Sequence, residues 1–532
     1  MVLECDYLVV GTGVSGMAFT DVVAFHSKRT VIMVDKNAHP GGHWNQSYEF
    51  ARLHQPAAFY GVASERLERS SSSSYQDLSS RNEILEYYRF VMDKLVKTGR
   101  VRHFGECTYD GDPSRSAGDR AVVHSFTDKQ GISHQVGVKR RIVDATYVKS
   151  QIPATHPPRY SVEDGVECIP INGIYGINRG SWNKSNSKFV VIGAGKTGID
   201  AVLYLLDSGI DPEKITWIMP RDSWLLNRSS IDPRKVPLSN KPFFDISDSL
   251  EESLLRREKE GLLLRLDTSV WPEKYSCATV DTAELAKLRL IRNVIRKGRV
   301  LSITKTHLVM TGKNCNQESD QQPELVPYRD DRGFPTSRVV FVDCSATATP
   351  IRPVVPIFRP GGIVIQPVRY CQIALSGAMV AYIDCHPGFR HDNDRNSVVV
   401  PVPFPSSSKD GLRAELLGNH NLLMLYGSDP RTRDFFKSCR LNLASHIGIA
   451  TRIKLYSGAL YHLLGQMAKS IETKKRQYRD EFDGHEFEYE TYSPHRMRKA
   501  QRLALIISLC FYAVVFLLLT VLIHVIVSLK GE

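Results

Sequence analysis

The chain has 532 residues, 42% hydrophobic and 24% charged, a balance that suits a folded, enzyme-sized body with two or three cores and excludes a disordered chain. A net charge of +12 and a pI near 9.1 arise from basic residues spread along the sequence, with clusters only at 139–141, 474–476 and 496–502, so no nucleic-acid partner is expected. Ten cysteines with no C-x-x-C pair argue against a structural zinc or other metal site, a redox dithiol and a disulfide framework, and a reducing compartment is the simplest setting.

Residues 3–10 read as a buried strand, 14–25 as a helix and 30–34 as the next strand, one βαβ unit of a doubly wound parallel sheet. Between strand and helix stands Gly11-Thr12-Gly13-Val14-Ser15-Gly16, and Asp35-Lys36 closes the second strand. In this G-x-G-x-x-G pattern Gly11 permits a tight turn and Gly13 lets backbone N–H groups approach a pyrophosphate at the helix start. Gly16 lets helix and strand pack closely, and Asp35 can accept from a ribose diol. A glycine- and aromatic-rich stretch over 40–61 follows, then a serine tract at 70–74 that reads as surface loop. Ser79 or Ser80 caps the next helix, whose core stripe is Ile84, Leu85, Tyr88, Val91, Met92, Leu95 and Val96. Hairpin arms are expected over 121–126 and 133–138, and a separate strand over 141–148.

A proline-rich connection at 152–158 leads to a second strand–turn–helix beginning at 188. Gly193-Ala194-Gly195-Lys196-Thr197-Gly198 repeats the phosphate-cradling device, which makes two dinucleotide sites. The strand after this helix, 215–219, ends in Pro220-Arg221 rather than in an acid. A guanidinium there suits an adenosine 2′-phosphate and predicts NADPH over NADH, the alternative being a surface arginine paired with Asp222. Lys196-Thr197 fails the spacing of an NTP-binding P-loop, so NTP hydrolysis is excluded. Further strands are expected at 338–344 and in a strand–helix pair over 361–382.

Residues 503–529 are apolar except for Ser508, Thr520, His524 and Ser528, longer than the roughly 20 residues a spanning helix needs. Arg496, Arg498, Lys499 and Arg502 precede the run. The expectation is a C-terminal transmembrane tail anchor with a cytosolic body, in the endoplasmic reticulum, with the mitochondrial outer membrane as the alternative.

The two glycine loops, Asp35, Pro40-Gly41-Gly42-His43-Trp44 and Arg221-Asp222-Ser223-Trp224 with Asn227-Arg228 resemble the flavin-containing monooxygenase-like group of two-dinucleotide-binding flavoproteins, over roughly residues 3–385. The segment Arg52-Leu53-His54-Gln55-Pro56-Ala57-Ala58-Phe59-Tyr60-Gly61-Val62 is similar to one found in a set of NAD(P)/FAD-dependent oxidoreductases within that group. The resemblance implies FAD on the first loop and NADPH on the second, with Gly41, Gly42 and Trp44 along the FAD pyrophosphate and flavin and His54 and Gln55 near the isoalloxazine. Without the family, His54 reads as a hydrogen-bonded structural histidine. Two departures stand out: 160–182 contains no histidine where such monooxygenases carry one, and Gln55 replaces their asparagine.

The implied fold is α/β, two Rossmann-type doubly wound domains with the NAD(P) domain inserted in the FAD domain. The expected boundaries are 1–186 and 335–400 for FAD and 187–334 for NAD(P), with 401–495 unassigned. The leading expectation is an NADPH-dependent monooxygenase that uses O2 on a small lipophilic substrate. A flavin reductase that inserts no oxygen and a non-catalytic nucleotide-binding scaffold are the alternatives.

Overall fold

The computed structural model describes residues 2–446, apart from 69–77, 115–121, 178–186, 233–248, 313–322, 329–337, 346–351 and 406, together with positions 502, 505, 506, 509 and 513. The serine tract at 70–74 lies outside the described residues.

The apolar run Leu3–Val10 forms the middle of the first sheet, with Tyr7, Leu8 and Val9 fully buried. It pairs in parallel with Val31–Val34 and with Ser133–Asp144, and Val101–Phe104 and Gly362–Val364 extend the sheet on either side. Strands covered on both faces read as continuous apolar segments, which is why they were legible. The helix Val14–His26 lies between the first two strands and is buried over most of its length. It packs on Ile373–Cys385, where a Cβ on Gly377 would stand 2.7 Å from the Ser15 carbonyl oxygen, so only glycine permits that approach. Of the two serines expected to cap the helix Arg81–Lys97, Ser80 does so, and Glu83 reciprocates in a capping box. Its expected stripe is buried except for Val96, which stays 43% exposed. The two strands expected between 133 and 148 are one, Ser133–Asp144, pairing antiparallel with Val122–Asp128 and in parallel with Leu3–Val10.

The second sheet runs, in spatial order, Asn293–Ile295, Ile215–Ile218, Ser187–Ile192, Arg338–Asp343 and Cys168–Pro170, all parallel. The expected boundaries at 186 and 334 therefore cut through it. Arg338–Asp343 pairs along its whole length with Ser187–Ile192 rather than returning to the first sheet. An apolar strand carries no mark of which sheet it will join, because pairing is chosen by burial against distant neighbours. The chain leaves the first sheet at Asp144 and rejoins it with Phe358–Arg359 and Gly362–Val364, so the second sheet is inserted between strands of the first. Beyond it, Ser223–Asn227 lies between Leu263–Leu264 and Lys274–Val280.

Two further expectations are corrected. Cys277 and Cys371 are bonded, with Cα atoms 6.2 Å apart, while the remaining described cysteines are free thiols; their separation along the chain hid the pairing. The membrane assignment also fails: among the described residues no helix is long and apolar enough to cross a membrane. The run at 503–529 lies outside those residues but for isolated positions. Neither the endoplasmic reticulum nor the mitochondrial outer membrane is retained as a location.

A buried ion cluster fastens helix Ile373–Cys385 to the first sheet. Tyr7 donates its hydroxyl to Asp384 Oδ2 at 2.6 Å, and Arg141 Nε and Arg395 Nε lie 3.0 and 3.2 Å from Asp384 Oδ1. Removing that carboxylate leaves two buried guanidinium groups, Arg141 and Arg395, sharing one remaining acid, Asp392. Asp384→Ala is expected to lower the unfolding free energy by about 3–5 kcal/mol; a urea titration showing less than about 1 kcal/mol would remove the cluster from the list of supports.

Candidate dinucleotide sites

The parallel core of each sheet ends in the same turn. Gly11 has φ +102° and donates its N–H to Val34 O at 2.8 Å; Gly193 has φ +131° and donates to Ile218 O at 3.1 Å. Both take backbone conformations that other residues avoid. A Cβ on Gly11 would lie 2.9 Å from Thr146 Cγ2, and one on Gly193 would lie 2.5 Å from the Cys344 carbonyl oxygen. A Cβ on Gly16 or Gly198 would collide with the carbonyl of Gly11 or Gly193 respectively. The neighbouring strand end is also repeated. Asp144 Oδ1 accepts from the N–H and hydroxyl of Thr146 at 2.8 and 2.7 Å, and Asp343 Oδ1 accepts from those of Ser345 at 3.1 and 2.6 Å.

The middle glycines differ from the others. Gly13 and Gly195 are the N-caps of Val14–His26 and Lys196–Asp207, with ordinary φ of −73° and −82° and no side-chain cap. A Cβ on Gly195 would meet nothing within 4 Å, and one on Gly13 would meet only Gly42 Cα at 3.6 Å. Nothing in the chain requires glycine at either position, and a Ser, Asp or Asn cap would stabilise the helix by a few tenths of a kcal/mol over glycine. Open space in front of uncapped helix N–H groups is what an incoming phosphate needs. Val14 and Ser15, with Lys196 and Thr197, form the first turns over these spaces.

Asp35 is buried and already engaged. Its Oδ2 accepts from Thr12 N–H and hydroxyl at 2.6 and 2.9 Å, and its Oδ1 from the N–H and amide of Asn37 at 2.8 and 2.9 Å. The carboxylate thus fixes the glycine loop, and a ribose would share it with Thr12; Lys36 beside it is exposed. Gly41 and Gly42 have φ of +129° and +57°, and a Cβ on Gly42 would stand 3.0 Å from Gly13 Cα, so this segment closes over the first loop. Next to it, Trp44 is buried and donates Nε1–H to the Tyr60 hydroxyl at 2.7 Å. His43 is exposed, yet desolvation by the surrounding chain lowers its pKa to about 4.

His54 is not the hydrogen-bonded structural histidine that its residue type suggests. Its Nδ1 is buried without a partner, and desolvation, then the charges of Lys196 and Arg228, lower its pKa to about 3. It is neutral at every working pH. Gln55 is half-buried beside it. The Lys196 effect brings the His54 loop of the first unit and the glycine loop of the second to one place.

Two contacts that sequence reasoning did not find join the units there. Arg228 donates Nε–H to the His54 carbonyl at 3.3 Å while its two amino groups bind Asp281 and Glu284, each at 2.6 Å. Tyr48 donates its hydroxyl to Asp200 Oδ2 at 2.5 Å, and Asp200 also pairs with Lys196. The Lys196 charge is therefore partly neutralised within the chain. No local pattern marks Tyr48 or Asp200, since one lies in a loop and the other on a helix of a different unit.

Arg221 does not pair with Asp222, whose carboxylate is held by Arg296 at 2.8 and 3.2 Å. Burial and the nearby Arg299 lower the Arg221 pKa, and burial, Arg221 and Arg299 together lower Lys274 to about 8. Lys274 reaches this place because its strand pairs it with Ser223. Among the described residues Glu273 is the one acid acting on both Arg221 and Lys274, so positive charge is in surplus among these groups at the expected 2′-phosphate position.

No protein-family model matches the chain. The uncharacterized proteins Rv2000 of Mycobacterium tuberculosis and Mb2023 of Mycobacterium bovis are each 35% identical to it over 464 residues, 84% of this chain and 79% of the relative. Solved structures similar to it include cyclohexanone monooxygenase from Rhodococcus sp. Phi1 bound to NADP+ (12% identity, 85% of this chain and 98% of that one, TM-score 0.43). Another is a flavin-containing monooxygenase from Stenotrophomonas maltophilia (14%, 70% and 89%, TM-score 0.35). These are of the flavin-containing monooxygenase kind that the motifs resemble, at a distance that carries no argument about activity. By identity and coverage, the chain belongs to the family of the mycobacterial protein Rv2000.

Proposed function

We propose that this chain is an FAD- and NADPH-dependent oxidoreductase, with FAD on the loop 11–16 of the first sheet and NADPH on the loop 193–198 of the second. The observation that carries the reading is the pair of uncapped helix starts at Gly13 and Gly195, where a side chain would fit the protein but fill the phosphate cradle. FAD, when bound, accepts a hydride from the nicotinamide and passes electrons onward. The chain's own work is positional and electrostatic. Thr12 and Asp35 orient a ribose, Gly41, Gly42 and Trp44 flank the first loop, and Arg221 with Lys274 binds a 2′-phosphate. His54, neutral and with an unpaired Nδ1, offers one hydrogen bond to a ring bound in the cleft, with Gln55 beside it.

We read the electron acceptor as O2, with one oxygen atom passing to a small lipophilic substrate; the motif resemblance supports this. The second reading, reduction of an acceptor without oxygen transfer, is favoured by Gln55 in place of asparagine and by the absence of histidine from 160–182. Anaerobic NADPH is expected to bleach the yellow of purified protein, and readmitted air to restore it with oxygen consumed in step with product. Bleaching without coupled product selects the second reading, and protein that neither carries nor takes up FAD defeats both.

Gly195→Ala is expected to change the unfolding free energy by no more than about 1 kcal/mol, the chain-entropy gain being offset by the poorer N-cap, while NADPH binding weakens at least about tenfold and FAD retention is unaffected. Equal NADPH affinity by titration calorimetry would show that the second cradle is not used.

Arg221→Ala is expected to weaken NADPH at least about tenfold more than NADH. Lys274, titrating at about 8, is charged below that pH and neutral above it, so the preference for NADPH should fall as pH rises through 8. In Lys274→Met that slope should vanish; an unchanged slope would exclude this lysine from the phosphate site.

A further inference from the structure

The strand Lys274–Val280 of the inserted unit carries Cys277, and the turn before Ile373–Cys385, the helix packed on the first sheet, carries Cys371. Their disulfide closes 94 residues, with Cα atoms 6.2 Å apart, inside the span such a bond allows. Tyr370 and Tyr275 flank it, stacked with ring centroids 6.0 Å apart. The Tyr370 hydroxyl donates to the Tyr275 carbonyl at 3.2 Å and accepts from the Cys277 N–H at 3.1 Å. Cys371 has φ +62°, a left-handed conformation that a residue with a Cβ adopts only when its surroundings hold it. Both cysteines are half-buried, so a small thiol has access to the bond.

The position of this bond matters more than its presence. Beside the second glycine loop the units touch through Tyr48 and Asp200, the Phe50–Tyr204 ring stack at 3.8 Å, and Arg228 with the His54 carbonyl. The disulfide fixes a separate part of the seam. While it is closed, that end of the seam is covalently locked; once it is open, Cys371 is free to leave its left-handed conformation and the same end rests on non-covalent contacts: the tyrosine pair, the Ser408 hydrogen bonds to Pro272 and Glu273, and the packing of Trp224, Leu254 and Leu263 with Tyr370, Val402 and Ala414. Chemistry between cofactors on different units depends on their relative position.

We propose that Cys277 and Cys371 form a redox-modifiable pair that sets how firmly the inserted unit is held against the first. A dithiol opens it by exchange, giving two protein thiols and the cyclic disulfide of the reductant. Hydrogen peroxide closes it, two thiols and one peroxide giving the disulfide and two waters. The proposal stands on the seam geometry and does not require the cofactor assignment.

The test uses the full chain, equilibrated with dithiothreitol or with hydrogen peroxide, followed by alkylation and peptide mapping. Cys277 and Cys371 are expected to interconvert together between blocked and alkylated forms. Amide hydrogen exchange in 274–280 and 368–373 should speed up at least about tenfold in the reduced form. Cys277→Ser and Cys371→Ser should each show the reduced pattern under both treatments, which separates loss of the bond from an unrelated effect of the reductant. Two alkylated thiols after peroxide treatment, or equal exchange rates in the two states, would overturn the proposal. The rate of anaerobic bleaching by NADPH, compared between oxidised and reduced protein, is a second readout. If exchange differs but no bleaching occurs in either state, the cofactor assignment fails and the switch stands.

Discussion

A carbonyl facing a glycine Cα organises both halves of this molecule. Gly11 O lies against Gly16, and Gly193 O against Gly198, so closely that neither position tolerates a Cβ. That approach draws each helix onto its strand and aims the helix start at the end of the sheet. The left-handed conformations of Gly11 and Gly193 turn the chain sharply enough to make it possible. The uncapped N–H groups at Gly13 and Gly195 then face open space. An enzyme that needed only a stable fold would gain from capping those helices; leaving both bare is a concession to a ligand.

Around this repeated element the units have diverged in charge. The first loop is held by a carboxylate, Asp35, whose bonds to Thr12 rigidify it. The equivalent strand of the second unit ends in Arg221, which is left without its sequence neighbour because Arg296 occupies Asp222. Lys274, brought alongside by strand pairing, has its pKa lowered by burial and by the arginines nearby. Such a cluster is costly in the free protein and is relieved by an anion. Two copies of one architecture thereby acquire different preferences through a few side chains.

The seam between the units gathers groups that have no common origin in the chain. His54 from a loop of the first unit, Lys196 from the second glycine loop and Arg228 from beyond it influence one another. Tyr48 reaches across to Asp200 and moderates the lysine's charge. An unpaired imidazole nitrogen in such a place carries a desolvation penalty, and a bound ring would relieve it.

The sequence by itself determined the local devices: the apolar strands, the two glycine turns, a serine cap at 79 or 80, and the switch from Asp35 to Arg221 at equivalent strand ends. Each depends on residues within a few positions of one another, where backbone sterics and side-chain reach leave few options. Only the tertiary structure decided that Arg338–Asp343 belongs to the second sheet, that Cys277 meets Cys371, that Lys274 joins Arg221, and that His54 stays unpaired. Those outcomes are contacts between distant segments, selected by how whole faces bury against one another, and a strand or a cysteine read in isolation carries no record of its partner.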